Sequence, residues 1–124
     1  MKKILILGTA LLCGFLCRVA AQGVEFRDLT FGQALEQART ENKLVFMDCY
    51  TSWCGPCKNM LKNVFTLPEA GEFMNAHFVC VKYDMEKGEG IGLKKQFAVR
   101  AFPTFFIIRP DGTVQHRLAG GSQW

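Results

Sequence analysis

Several things are scarce or missing in this sequence, and each absence narrows the reading. After residue 22 there is no internal repeat, low-complexity tract or long linker, which leaves one domain as the simplest account of 124 residues. With 49% apolar and 21% charged residues, the composition is that of a folded chain and excludes overall disorder. The N-terminal apolar run, Ile4 to Cys17, is too short for a comfortable membrane span. Only two histidines occur, His77 and His116, and both are read as surface or loop residues, so histidine acid–base chemistry has little material.

The apolar run follows Lys2 and Lys3, and Val19-Ala20-Ala21 offers small residues for cleavage before Gln22. Residues 1–21 are therefore read as a secretory signal peptide, with an uncleaved N-terminal anchor as the alternative. Neither Cys13 nor Cys17 follows the small-residue pair of a lipoprotein anchor. Removing the segment takes away Lys2, Lys3 and Arg18 and no acid, so the net charge falls from +4 to +1. The basic character of the whole chain thus implies no nucleic-acid partner. Four of the six cysteines remain: Cys49, Cys54, Cys57 and Cys80. In an exported domain they are enough for two structural disulfides, so spacing must decide their use.

Along the chain, Val24 to Phe26 reads as a short strand, and Thr30 as the cap of a helix with Phe31, Ala34, Leu35 and Ala38 at helical spacing. Leu44 to Tyr50 is nearly continuous apolar sequence, the pattern of a strand buried on both faces, with Asp48 as its anomaly. Lys58 to Phe65 and Pro68 to Phe73 read as helices, Phe78 to Tyr83 as a second buried strand, and Glu89 to Phe97 as a further helix. Thr104 to Ile108 and Thr113 to Leu118 read as strands joined by a turn at Pro110-Asp111-Gly112. The order β-α-β-α-β-α-β-β is α/β architecture: a mixed central sheet flanked by helices.

The chemistry lies at Trp53-Cys54-Gly55-Pro56-Cys57. A buried strand delivers Cys54 to a tight Gly-Pro corner and Cys57 enters a helix, so the first sulfur sits at the positive helix N-terminus. Such a setting lowers a thiol pKa from about 8.5 into a range of roughly 3.5 to 7.5, which makes Cys54 the nucleophile. Cys57 is expected to be the less exposed, resolving thiol.

With Lys58, this motif resembles the active site of the thioredoxin superfamily, and Phe102-Pro103-Thr104 before a strand resembles that family's cis-proline segment. The resemblance covers Val24 to Gly121 and implies a thioredoxin-like fold with a cis peptide between Phe102 and Pro103. Asp48 matches the buried carboxylate that exchanges a proton with the resolving cysteine, and Lys82 matches the lysine beside it. A carboxylate within an apolar strand is costly when ionised and is expected to have a raised pKa. Trp53, Gly55, Pro56, Phe102 and Pro103 are the implied substrate surface, with main chain at Pro103 opposite Cys54. The implied activity is thiol–disulfide exchange with protein disulfides, favoured as reduction because of the Gly-Pro pair, and it needs no metal or organic cofactor. Val64 to Glu69 and Asp84 to Gly92 resemble C-terminal domains of membrane thiol reductase transporters and other exported relatives. Electrons would then come from a membrane-embedded thiol reductant, in the periplasm or another extracytoplasmic space of a bacterium. The family's final helix has no counterpart after Gly120, which leaves part of one sheet face to be covered otherwise or marks the sequence as a fragment.

Two other readings compete. Cys54-x2-Cys57 followed by His77-x2-Cys80 has a spacing compatible with zinc, although Phe78 to Tyr83 reads as core strand and Trp53 and Phe102-Pro103-Thr104 are then unexplained. A peptide-binding or holdase module would use the groove near Trp53, Phe102 and Pro103 without turnover. Cys49 and Cys80 are read as small buried hydrophobes, with pairing between them left open.

Overall fold

A strand that is apolar on both faces needs cover on both sides, and Leu44–Tyr50 (β1) accordingly lies inside the sheet, with residues 45–49 buried. In the computed structural model, residues 23–120 are described; the signal segment expected at 1–21 and the last four residues lie outside the described residues. The remaining elements are α1 (Phe31–Glu41), α2 (Gly55–Asn63), α3 (Pro68–His77), β2 (Phe78–Asp84), α4 (Gly90–Gln96), β3 (Thr104–Ile108) and β4 (Val114–Ala119). The sheet order is β2-β1-β3-β4, with β1 parallel to β2 and antiparallel to β3, and β3 antiparallel to β4. This is the mixed sheet expected from the element order.

Alternation along β1 divides the core in two. Val45, Met47 and Cys49 join Val79, Val81, Phe106 and Ile108 beneath α1 and α4, where Ala34, Ala38 and Leu93 are buried. Phe46 points the other way, into a cluster with Phe65, Cys80 and Phe105 that Met60, Leu61 and Met74 of α2 and α3 cover. On that face an apolar groove of about 200 Å³ remains between Met60, Phe65, Met74, Ile107, His116 and Leu118. Among the described residues no helix follows β4, all of whose residues are exposed.

Three expectations are corrected. Val24 to Phe26 does not form a strand; Phe26 makes one parallel bridge to Cys80. Its neighbours' donors go elsewhere, the Val24 N–H to the Phe65 carbonyl at 2.7 Å and the Glu25 N–H to Asn75 Oδ1 at 2.9 Å. The helix expected at Lys58 starts at Gly55, because Pro56 lacks only an N–H that a first turn leaves unpaired. The helix expected to stop at Phe73 continues to His77 and runs directly into β2. As for Cys49 and Cys80, they are free thiols on opposite sheet faces, three register positions apart, and do not pair.

Candidate redox site

Where β1 ends, the main chain turns through hydrogen bonds that fix the first cysteine. The Thr51 carbonyl accepts the Cys54 N–H at 3.3 Å, and Cys54 then caps α2 in an extended conformation. Its sulfur accepts the Cys57 N–H at 3.1 Å, so an otherwise unpaired donor at the positive end of the helix points at Sγ. Cys54 and Cys57 are joined as a disulfide with their Cα atoms 5.3 Å apart. At 3% and 2% exposure the two residues are equally buried, so burial does not set the resolving thiol apart as expected. What distinguishes them is position: Cys54 precedes the helix and accepts a hydrogen bond from it, whereas Cys57 lies within the first turn.

Asp48 is 1% exposed, and its Oδ1 has no hydrogen-bond partner. Burial pushes its carboxyl up to about 7, and only the nearby Lys82 ammonium pulls it back. Alternation places Asp48 on the face of Phe46, the face that α2 covers, and so beneath the helix that starts at the disulfide. Such a carboxyl can take up or release a proton near neutral pH. The Thr51 hydroxyl, also buried and without a partner, is a polar group that the sequence reading passed over.

The peptide between Phe102 and Pro103 is cis. Pro103 is buried and its carbonyl accepts the Gly120 N–H at 3.0 Å, so its ring and carbonyl are both engaged within the fold. The half-buried Phe102 is what this segment offers at the surface, and Trp53 meets it edge-on with ring centroids 5.9 Å apart. Trp53 is 63% exposed, and Gly55 and Pro56 are exposed as well. Trp53, Gly55 and Pro56 thus stand exposed beside a buried disulfide with Phe102 against Trp53, whereas Pro103, expected on the same surface, is buried. Sequence reasoning missed Glu86, whose Oε1 accepts the Trp53 indole N–H at 3.0 Å; an acid 33 residues away in a loop carries no pattern to announce it.

The zinc spacing is not assembled. The Cys80 sulfur lies 4.0 Å from the Met74 carbonyl and 3.9 Å from that of Phe78, while the His77 ring lies tilted against Phe73 with centroids 4.5 Å apart. Among the described residues, no three His, Cys, Asp or Glu side chains are grouped so as to hold a metal ion. No helix among them is long and apolar enough to cross a membrane.

Comparison with known proteins agrees with this geometry. A family profile described as a thioredoxin-like domain matches residues 31–123. Thioredoxin Y, chloroplastic, from Oryza sativa subsp. japonica is 33% identical over 103 residues, covering 83% of this chain and 58% of that protein. Thioredoxin-1 from Drosophila yakuba is 35% identical over 95 residues, covering 71% of this chain and 82% of the relative. The chain spans less than three fifths of the rice relative and of thioredoxin-2 from Pyricularia oryzae. Among solved structures, a Bacteroides thetaiotaomicron protein described as a candidate disulphide-isomerase superposes with a TM-score of 0.73 at 48% identity, covering 82% of this chain and 84% of its own.

Proposed function

The chain belongs to the thioredoxin-like family and carries a thiol–disulfide oxidoreductase pair in Cys54 and Cys57, and from this premise we propose that it reduces protein disulfides outside the cytoplasm. The observation that carries the reading is the Cys54 sulfur held against the Cys57 N–H at the start of α2, with a buried carboxyl on the sheet face below. In the reduced protein the Cys54 thiolate attacks one sulfur of a substrate disulfide. A mixed disulfide forms and one substrate thiolate leaves. Asp48 takes the Cys57 proton, and the Cys57 thiolate attacks the Cys54 sulfur, releasing the second substrate thiolate and closing the Cys54–Cys57 disulfide. Two electrons pass to the substrate, and no metal or organic cofactor takes part.

Trp53, Gly55, Pro56 and Phe102 form the rim on which the substrate chain docks. The Gly-Pro pair between the cysteines supports reduction over oxidation. The likeness to a protein described as a candidate disulphide-isomerase supports protein disulfides as the substrate class. Export rests on residues 1–21 read as a signal peptide, and it calls for a membrane-embedded thiol reductant as the source of electrons. In that arrangement the domain works as the C-terminal domains of membrane thiol reductase transporters do.

Cys57→Ser protein offered to an extracytoplasmic extract tests the exchange step. Covalent adducts that dithiothreitol releases and that vanish in Cys54→Ser/Cys57→Ser protein are expected; no Cys54-dependent adduct would sink the proposal. Equilibration with glutathione tests the direction: a potential near that of thioredoxin, about −270 mV, is expected, and one near about −120 mV would mark an oxidant.

A further inference from the structure

Helix α4 ends in a conformation that its sequence does not favour. The N–H groups of Phe97, Ala98 and Val99 turn back to the carbonyls of Leu93, Lys95 and Lys94, the pattern of a helix closed by a left-handed residue. That residue is Ala98, at φ 51°, where glycine is the usual occupant because a Cβ crowds the following carbonyl. Five residues later the chain reaches Pro103, so the path of the docking segment starts from this turn.

Arg117 of β4 holds it. Its guanidinium donates to the Phe97 carbonyl at 2.6 Å through Nη1 and to the Ala98 carbonyl at 2.9 Å through Nη2. The group lies 5.1 Å from the centroid of the Phe106 ring, its register partner on β3, and that ring meets Phe97 at 5.2 Å. Two donors in a planar fork suit two successive carbonyls, and an ammonium has no such fork. Three residues on, the Gly120 N–H binds the Pro103 carbonyl. β4 and the residue that follows it therefore tie down both ends of the segment from Ala98 to Pro103, while Phe102 near its far end faces Trp53.

We propose that Arg117 is a positioning residue for substrate docking: by clamping the left-handed turn at Phe97–Ala98 it sets where Phe102 stands relative to the redox pair. The inference rests on the reading of Phe102 as part of the substrate rim. It assigns Arg117 no contact with the reacting sulfurs, so its removal acts on the binding of an extended protein substrate and leaves attack on a small disulfide alone.

The test compares wild type, Arg117→Met, Arg117→Lys and Arg117→Met/Ala98→Gly in the reduction of insulin and of hydroxyethyl disulfide, with the thermal midpoint of each protein measured alongside. Loss of charged hydrogen bonds at the turn is expected to raise the insulin KM of Arg117→Met by about fivefold to tenfold, with kcat and the hydroxyethyl disulfide rate within about twofold of wild type. Arg117→Lys should fall between the two. Glycine at 98 adopts the turn without the clamp and should return the insulin KM toward the wild-type value. An unmoved insulin KM, a parallel loss with both substrates that follows the thermal midpoint, or no recovery in the double variant would overturn the inference while leaving the proposed activity standing. A wild-type protein that reduces neither substrate would overturn the activity and the inference with it.

Discussion

Asp48 and Lys82 stand opposite each other in the parallel register of β1 and β2, and the lysine ammonium lies over the rings of Phe26 and Tyr50, 5.5 and 5.9 Å from their centroids. The lysine's pull on the carboxylate is real but smaller than the effect of burial, which leaves the Asp48 carboxyl at about 7. The pair thus creates a proton acceptor that works near neutrality, where an ordinary surface aspartate is already ionised.

Stability should carry the mark of that raised value. An unfolded aspartate loses its proton near about pH 3.9, whereas folded Asp48 keeps it up to about 7. Between these values the native state binds the extra proton, so stability falls as pH rises through the window and levels off above it. Asp48→Asn removes the dependence. The variant should exceed wild type by a few kcal/mol at pH 8, at about 1.4 kcal/mol per unit, with the gap closing toward pH 4. Urea unfolding of the oxidised proteins at the two pH values checks this, and an equal gap at both would contradict it.

Thiol chemistry should be confined to the exposed end of the sheet. Burial raises the Cys80 thiol to about 12 and pushes Cys49 higher still, with Asp48 adding to the effect at Cys49. In reduced, folded protein at pH 7, a maleimide should label Cys54 first and leave Cys49 and Cys80 untouched until guanidinium is added. Mass spectrometry of the labelled peptides reads the result. Modification of Cys80 in the folded state at a rate near that of Cys54 would contradict the burial argument.

What could be read in advance was local, and what could not was a matter of reach. The apolar run of β1, the odd Asp48 within it, the CxxC corner and Phe102-Pro103 each announce themselves within a few residues: β1 is buried along its middle, Cys54 and Cys57 are joined, the Phe102–Pro103 peptide is cis and Trp53 meets Phe102. Val24 to Phe26 has the alternation of a strand, but whether its donors meet a ladder or Asn75 and Phe65 depends on where α3 lands. Gly55-Pro56 suggested a corner before the helix, although proline is well suited to the first turn itself. Glu86 and Arg117 are exposed charged residues in ordinary settings, indistinguishable in sequence from solvated ones. Their partners lie 33 and about 20 positions away, beyond any periodicity.

Glu86 offers a check on how firmly the rim is held. Its single bond to the Trp53 indole is exposed, so Glu86→Ala should change stability by less than about 1 kcal/mol. The ring itself should gain freedom. In a Trp124→Phe background, the fluorescence anisotropy of Trp53 should fall in the Glu86→Ala protein, and Glu86→Gln, which keeps an acceptor, should retain most of it. Equal anisotropy in all three proteins would show that Phe102 alone holds the ring.

Two glycines of α4 should respond to the same substitution with opposite signs. A Cβ at Gly90 would run into the carbonyl of Asp84 and the main chain of Met85, whereas at Gly92 nothing lies within 4 Å. The obstacle at Gly90 is backbone at the end of β2, which cannot rotate aside, so Gly90→Ala should cost about 1–3 kcal/mol. It should also disturb the neighbouring Glu86, whose N–H binds the Asp84 side chain at 2.9 Å, and through it Trp53. Gly92→Ala meets no obstacle in the helix interior and restricts the unfolded chain, which should stabilise by about 0.5–1 kcal/mol. Denaturant midpoints of the two variants against wild type decide the matter. Similar shifts for both would show that the approach of α4 to β2 is looser than the contact at Gly90 requires.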